Sequence, residues 1–204
     1  MTGPFKLASL PWGEATLEPV ISSRTISFHY HKHHQTYVET LNTLVEKTKF
    51  ADMKLEKIIQ ATAGSNDENE KKLFNNAAQV WNHDFYWRSL SPAKTEPSAK
   101  LASAISRDFG STSDLIAKLA EAGAGQFGSG WAFLVPDGSS LAVISTPNRT
   151  ARSRTARRRC WASTSGSTPT TSRTRTGGPT TSTPGGTSST GQRWRRATPP
   201  SQRP

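Results

Sequence analysis

Cysteine is almost missing. The 204 residues hold one, Cys160, which excludes an internal disulfide framework. No apolar run is long enough to cross a bilayer, so no membrane association is expected. The opening MTGPFKLASLPW has no basic stretch followed by an apolar core, so it does not read as a secretory signal. These absences point to the reducing cytoplasm. Two further gaps concern chemistry. No histidine follows His83, and no aspartate or glutamate follows Asp137.

The net charge of +11 is not spread along the chain. Residues 149–204 hold 12 of the 26 basic residues, all arginine, and none of the 15 acidic ones. That leaves 14 basic against 15 acidic residues in 1–148. The tail also lacks Leu, Ile, Val, Met, Phe and Tyr. It cannot bury enough apolar surface to offset an ordering entropy of roughly 1–2 kcal/mol per residue. The reading for 149–204 is disorder.

What is present is best read from Leu73–Trp87, LFNNAAQVWNHDFYW. It is apolar and aromatic at helical spacing, yet it carries Gln79 and His83 four residues apart, on one helix face. Upstream, in FHYHKHHQTY, His29, His33 and Tyr37 also repeat every four residues. Buried polar groups need partners. Two antiparallel helices would bring His29 and His83 to one point.

The chain between these stretches has a helical front. Residues 1–20 are punctuated by Pro4, Pro11 and Pro19 and are expected to be extended. Ser22 or Ser23 can cap a helix running to about Lys47, with Ile26, His29, Tyr30, His33, Tyr37, Leu41 and Leu44 inward. A short helix over 54–61 precedes a polar loop, GSNDENE. The second long helix begins within Glu68–Lys72 and runs to about Leu90. After a linker with two prolines, helices are expected over 100–109 and 112–119, the latter capped by Ser111 or Ser113. The period then changes to two. Gly130–Val135 and Ser140–Ser145 read as strands joined at Pro136-Asp137-Gly138, a hairpin signal. The fold class is α+β. An N-terminal antiparallel helical hairpin (1–90) leads into the start of an α/β domain (91–148), with two strands of a small antiparallel sheet.

Imidazoles converging from two helices form a metal-site pattern, and neutral nitrogen donors suit zinc, iron, copper or nickel. Gln79 can hydrogen-bond a metal-bound water, and His33 and Tyr37 can line the approach and relay protons. On the plainer reading, His31 and His34 point elsewhere as surface or structural residues, Lys32 is solvated, and Trp81, Phe85, Tyr86, Trp87 and Trp131 belong to the core.

FHYHKHHQTYVETLNTLV, LFNNAAQVWNHDFYW and FGSGWAFLV, in that order, resemble the iron/manganese superoxide dismutases from about Phe5 to Asn148. The resemblance implies that His29 and His83 are metal ligands, that His33 and Tyr37 form a gateway, that Gln79 holds metal-bound solvent and that Trp131 walls the cavity. A glutamine inside AAQVWNH resembles the iron-preferring branch, with manganese as the other possible metal. The implied reaction converts superoxide to O2 and H2O2 as the metal alternates between +3 and +2. A homodimer pairing near the metal mouth is also implied.

One family motif is missing. Members take an aspartate and a further histidine from a late segment, D-V-W-E-H-A-Y-Y. Written in GC-rich codons behind L-L-G-V and read one base later, that segment becomes C-W-A-S-T-S-G-S-T-P-T-T, which is Cys160–Thr171 of this chain. The same shift turns N-R-R-P-D-Y into Thr176–Thr181 and A-W-W-N-L-V-N-W into Pro184–Gly191. The C-terminus therefore reads as frame-shifted after about residue 148. Thr164 stands in the aspartate slot and Thr168 in the histidine slot. Two of four ligands are then missing, and low dismutase activity and weak iron binding are expected. The hairpin is further expected to expose an unpaired edge and a bare apolar face. Two other readings compete: a non-catalytic protein whose Arg-rich tail binds nucleic acid non-specifically through phosphate charge, and a zinc site on the histidine-rich helix.

Overall fold

The computed structural model describes residues 4–147 and the backbone of residues 161–165. The first long helix is one continuous rod made of three pieces: α1 (Ser23–Phe28), a π-helical turn (His29–His34) and α2 (Gln35–Val45). Ser22 starts it, its hydroxyl accepting from Thr25 N at 3.2 Å. A cap of this kind contributes about 1 kcal/mol. The helix α3 (Leu55–Thr62) buries Ile58, Ile59 and Thr62. The helix α4 (Glu68–Ser89) is started by Asp67, whose carboxylate accepts from Asn69 N and Glu70 N at 2.9 and 2.8 Å. Glu68 and Glu70 add negative charge in the first turn, where the helix dipole favours it.

Side chains at helical spacing join these elements. Val38, Leu41 and Val45 from α2, Ile58 and Ile59 from α3, and Leu73, Ala77 and Val80 from α4 form one buried cluster. The N-terminal segment straps across it. Phe5 N donates to Asn42 Oδ1 at 2.9 Å and Asn42 Nδ2 donates to Phe5 O at 2.8 Å. Tyr30 Oη donates to Ala8 O at 2.7 Å, and Trp12 Nε1 donates to Leu90 O at 3.2 Å.

The second half carries α5 (Ala99–Phe109), α6 (Thr112–Ala124), β1 (Gly130–Asp137) and β2 (Ser140–Pro147). Ser111 caps α6 by accepting from Asp114 N. The two strands pair antiparallel from Gly130↔Pro147 to Asp137↔Ser140, around a loop whose first residue, Gly138, has φ +60°. That left-handed value suits glycine at the first loop position of a two-residue hairpin.

The strand β1 is covered on both faces. Trp131, Phe133 and Val135 pack with Ile26, Tyr30, Tyr86 and Trp87 of the helical hairpin. The alternate residues Ala132 and Leu134 pack with Ile105, Leu115 and Leu119 of α5 and α6. Its six leading residues are accordingly buried without interruption.

Two expectations are corrected here. The first helix does not keep one period throughout, because the π turn interrupts it. Val38, Val45 and His34 face inward, while His33 is exposed and Leu44 only half-buried. The bare face does not occur, and the edge of β1 is paired, while the outer edge of β2 has no partner strand among the described residues. Helices cover both faces of β1, and a third strand, β3 (Trp161–Ser165), pairs antiparallel with its free edge to give the order β2-β1-β3. Sheet pairing uses main-chain groups, so a Ser/Thr-rich segment can supply it. The expectation of disorder for the remainder of 149–204 lies outside the described residues. Among the described residues no helix is long and apolar enough to cross a membrane.

Candidate metal centre

The π turn and the middle of α4 face each other, and β1 closes the space between them. The ring centroids of His29 and His83 lie 5.0 Å apart at 80°. Of the two, His83 is the deeper, only 3% exposed. Its Nδ1 lies 2.8 Å from the Gln79 carbonyl oxygen. A carbonyl only accepts, so Nδ1 carries the proton and Nε2 keeps its lone pair. An imidazole held this way by a backbone carbonyl is oriented to ligate through its other nitrogen.

Electrostatics favours neutral, donor-ready rings. Burial, and next the neighbouring His33, push the pKa of His29 down from 6.5 to about 4. Burial, then His29 and His34, hold His83 well below the same value. Both imidazoles are therefore uncharged at neutral pH, the form that binds a cation.

The polar wall is built across the two halves of the fold. Trp131 Nε1 donates to Gln79 Oε1 at 3.2 Å, and both residues are buried. The Trp131 ring stands edge-on to His83 at 5.1 Å. Tyr37 is half-buried with its ring 5.4 Å from His83. His33 is exposed and its ring lies 6.1 Å from that of His29. All six residues singled out by sequence thus line one region, with His33 and Tyr37 on its more open side.

His34 was expected to point away and does not. It is 0% exposed, and its ring stacks on His83 at 5.1 Å with 14° between planes. A strict α-helix would carry position 34 off the face that holds His29. The wider π turn rotates it inward. Trp87, expected as core only, also donates from Nε1 to His34 Nδ1 at 3.2 Å. Asp84 was not singled out at all, yet its Oδ1 lies 3.6 Å from His34 Nε2. Burial, working against Arg88, lifts the Asp84 carboxyl from 3.8 to about 6. The H-H doublet was the only available hint, since a π turn leaves no local sequence mark. His31 is a surface residue as expected, paired with Glu14 at 2.7 Å.

The donor set fits a metal only in part. Two neutral nitrogens converge from two helices. Among the described residues no group of three or more His, Cys, Asp or Glu is arranged to hold a metal ion. The slot for a carboxylate falls on β3, where Thr164 pairs in register with Trp131. The slot for a third imidazole, Thr168, lies outside the described residues.

The chain matches two family models. Residues 4–91 match the alpha-hairpin domain of the iron/manganese superoxide dismutases, and residues 97–159 match the C-terminal domain of the same family. The chain is 47% identical over 146 residues to a superoxide dismutase [Fe] of Escherichia coli strain K12, covering 71% of this chain and 72% of the relative. It is 46% identical, with the same coverage, to superoxide dismutase [Fe] proteins of Photobacterium leiognathi and Legionella pneumophila. The C-terminal match runs to residue 159, past the frame change placed after about residue 148, and stops one residue before Cys160, where the shifted counterpart of the late family motif begins.

Proposed function

The chain belongs to the iron/manganese superoxide dismutase family, and from that membership we propose a superoxide dismutase whose own metal site is half complete. His29 and His83 would hold iron, the metal named in the relatives, with manganese as the alternative. When bound, such a metal supplies the one-electron couple that oxidises one superoxide to O2 and reduces the next to H2O2. The roles of the protein groups are to hold, orient and exclude. Gln79 keeps His83 in its ligating tautomer through its main-chain carbonyl, and its side-chain amide is fixed by Trp131. His33 and Tyr37 admit the small anion and its protons from the open side.

The observation that carries this reading is the His29–His83 pair, with His83 buried and His29 half-buried, both neutral and ringed by Gln79, Trp131 and Tyr37. What weakens the activity is equally concrete. Neutral threonines at 164 and 168 replace an anionic oxygen and an imidazole nitrogen. A closed four-ligand zinc site contributes on the order of 10–16 kcal/mol in small peptides, and half a donor set keeps part of any comparable gain. Assay of the purified full chain for dismutase activity, beside a chain whose last segment is recoded to D-V-W-E-H-A-Y-Y, tests the proposal. Activity is expected mainly in the recoded chain. No activity in either would overturn it.

A homodimer is proposed on the same grounds, with Phe127, 99% exposed, and Phe28, 39% exposed, as apolar groups such pairing would cover. A single cysteine in 204 residues suits the cytoplasm.

A further inference from the structure

We propose that His34 is a positioning residue, whose ring face fixes the plane of His83 and so aims its Nε2 lone pair at the metal position. The inference rests on the reading of His83 as a ligand.

His34 is among the most deeply buried side chains of the fold, and the proposed chemistry gives it no part. Burying an imidazole is costly, and Nε2 makes no hydrogen bond of ordinary length, the ring's polar neighbours being Trp87, Asp84 and the Val80 backbone. A residue with a packing role alone would be better served by an apolar ring. The placement is instead specific to its neighbour. The two rings lie nearly parallel at 14°, the one stacked pair among the imidazoles of the centre. His29 and Trp131 meet His83 edge-on, at 80° and 85°. Edge contacts leave a ring free to rock about its Cβ–Cγ axis, whereas a flat neighbour blocks that motion.

His34 is itself held by a hydrogen bond on one side and faces a carboxyl on the other. Trp87 Nε1 donates to Nδ1 at 3.2 Å, which makes Nδ1 the acceptor and leaves the proton of the neutral ring on Nε2. That Nε2–H faces Asp84 Oδ1 at 3.6 Å. Trp87 and Asp84 both belong to α4, as His83 does, so one helix carries the ligand and the two groups that hold its clamp. The π turn completes the device. Position 34 reaches this face because that turn is wider than an α turn, and the same turn carries His29.

The test separates the ring face from its nitrogens. His34→Gln keeps an acceptor for Trp87 but removes the flat ring. His34→Phe keeps the ring and removes both nitrogens. Two readouts are taken on the full chain. The first, without metal, is the NMR signal of the His83 Nδ1 proton, shielded from exchange by its bond to the Gln79 carbonyl. The second is the affinity for Co2+ as probe, with its visible absorption band. The wild type and H34F are expected to keep a sharp Nδ1–H signal. H34Q is expected to broaden or lose it and to bind Co2+ about ten- to a hundredfold more weakly, the range usual for groups that orient a ligand. An unchanged signal and affinity in H34Q overturns the proposal. So does H34F behaving as H34Q does. If H34F fails to fold, H34Q decides alone. Because the first readout needs no metal, a wild-type chain that binds no Co2+ counts against the dismutase reading and leaves the ring geometry to be judged separately.

Discussion

Trp131 and Gln79 lie 52 residues apart in sequence and meet through one hydrogen bond of 3.2 Å, indole N–H to amide oxygen, at the seam between β1 and α4. This bond makes the second half of the fold a wall of the site built by the first. Trp131→Phe removes the donor while keeping an aromatic ring. We expect a loss of about 1–3 kcal/mol, the usual cost of breaking a buried polar pair. Chemical denaturation of the full chain measures it. An unchanged midpoint would show that the seam does not depend on this bond.

The buried imidazoles set the pH dependence of stability. Below about pH 6.5 the unfolded chain takes up protons on these histidines, while folded His29 and His34 resist until the pH is near 4. His83 is depressed in the same direction. The unfolded state therefore binds more protons over this window, and stability falls as the solution is acidified. Asp84 acts the other way. Its folded pKa of about 6 lies above its ordinary 3.8, so it favours the folded state as pH drops between those values. With three histidines against one carboxyl, the net slope stays destabilising. Each histidine contributes at most about 1.4 kcal/mol per pH unit. Denaturation of protein prepared without added metal, at about pH 7, 6 and 5, checks the sign. A flat or rising stability would contradict it.

Much of the fold up to Pro147 was legible because its signals are local. Ser22 and Ser111 take the capping positions that their place before apolar periods suggests. The two-strand hairpin follows from alternation and Gly138. The His29–His83 meeting follows from two amphipathic helices that must bury polar residues together. Four features were not legible, each for a physical reason. His34 faces inward because of a π turn, which depends on tertiary packing rather than on any residue at that place. Asp84 gains its neighbour His34 through that same rotation. The strand β3 is built from backbone pairing by a segment whose side chains carry no strand pattern. The Gln79–Trp131 bond was likewise invisible to spacing, since it spans two parts of the fold.

Gly130 sits where the sheet begins, and a side chain does not fit there. A Cβ at this position would lie 2.4 Å from the Thr146 carbonyl oxygen and 2.6 Å from Gln126 Cγ. The first obstacle is backbone within the β1–β2 ladder and cannot rotate away. Gly130→Ala is expected to cost about 1–3 kcal/mol, as overpacking does. Thermal or chemical unfolding would record it, and a variant as stable as the parent would mean that the strand end yields freely.

Metal binding should follow the His29–His83 pair and not the surface histidine. His29→Gln and His83→Gln each remove one of two donors, and each is expected to weaken Co2+ binding by about tenfold or more. His31→Gln, which alters an exposed contact with Glu14 and a ring contact with Tyr30, should leave the affinity within about twofold. Equal losses in all three would point to diffuse binding along the histidine-rich turn.

The most direct test is the iron content of the purified 204-residue chain, measured by mass spectrometry beside its dismutase turnover. Half a donor set predicts well under one iron per chain and little turnover. Recoding the segment at Cys160–Thr171 to restore the missing carboxylate and imidazole is predicted to bring the content close to one. One iron per chain with full turnover in the unaltered protein would contradict the account, because the front half would then suffice alone.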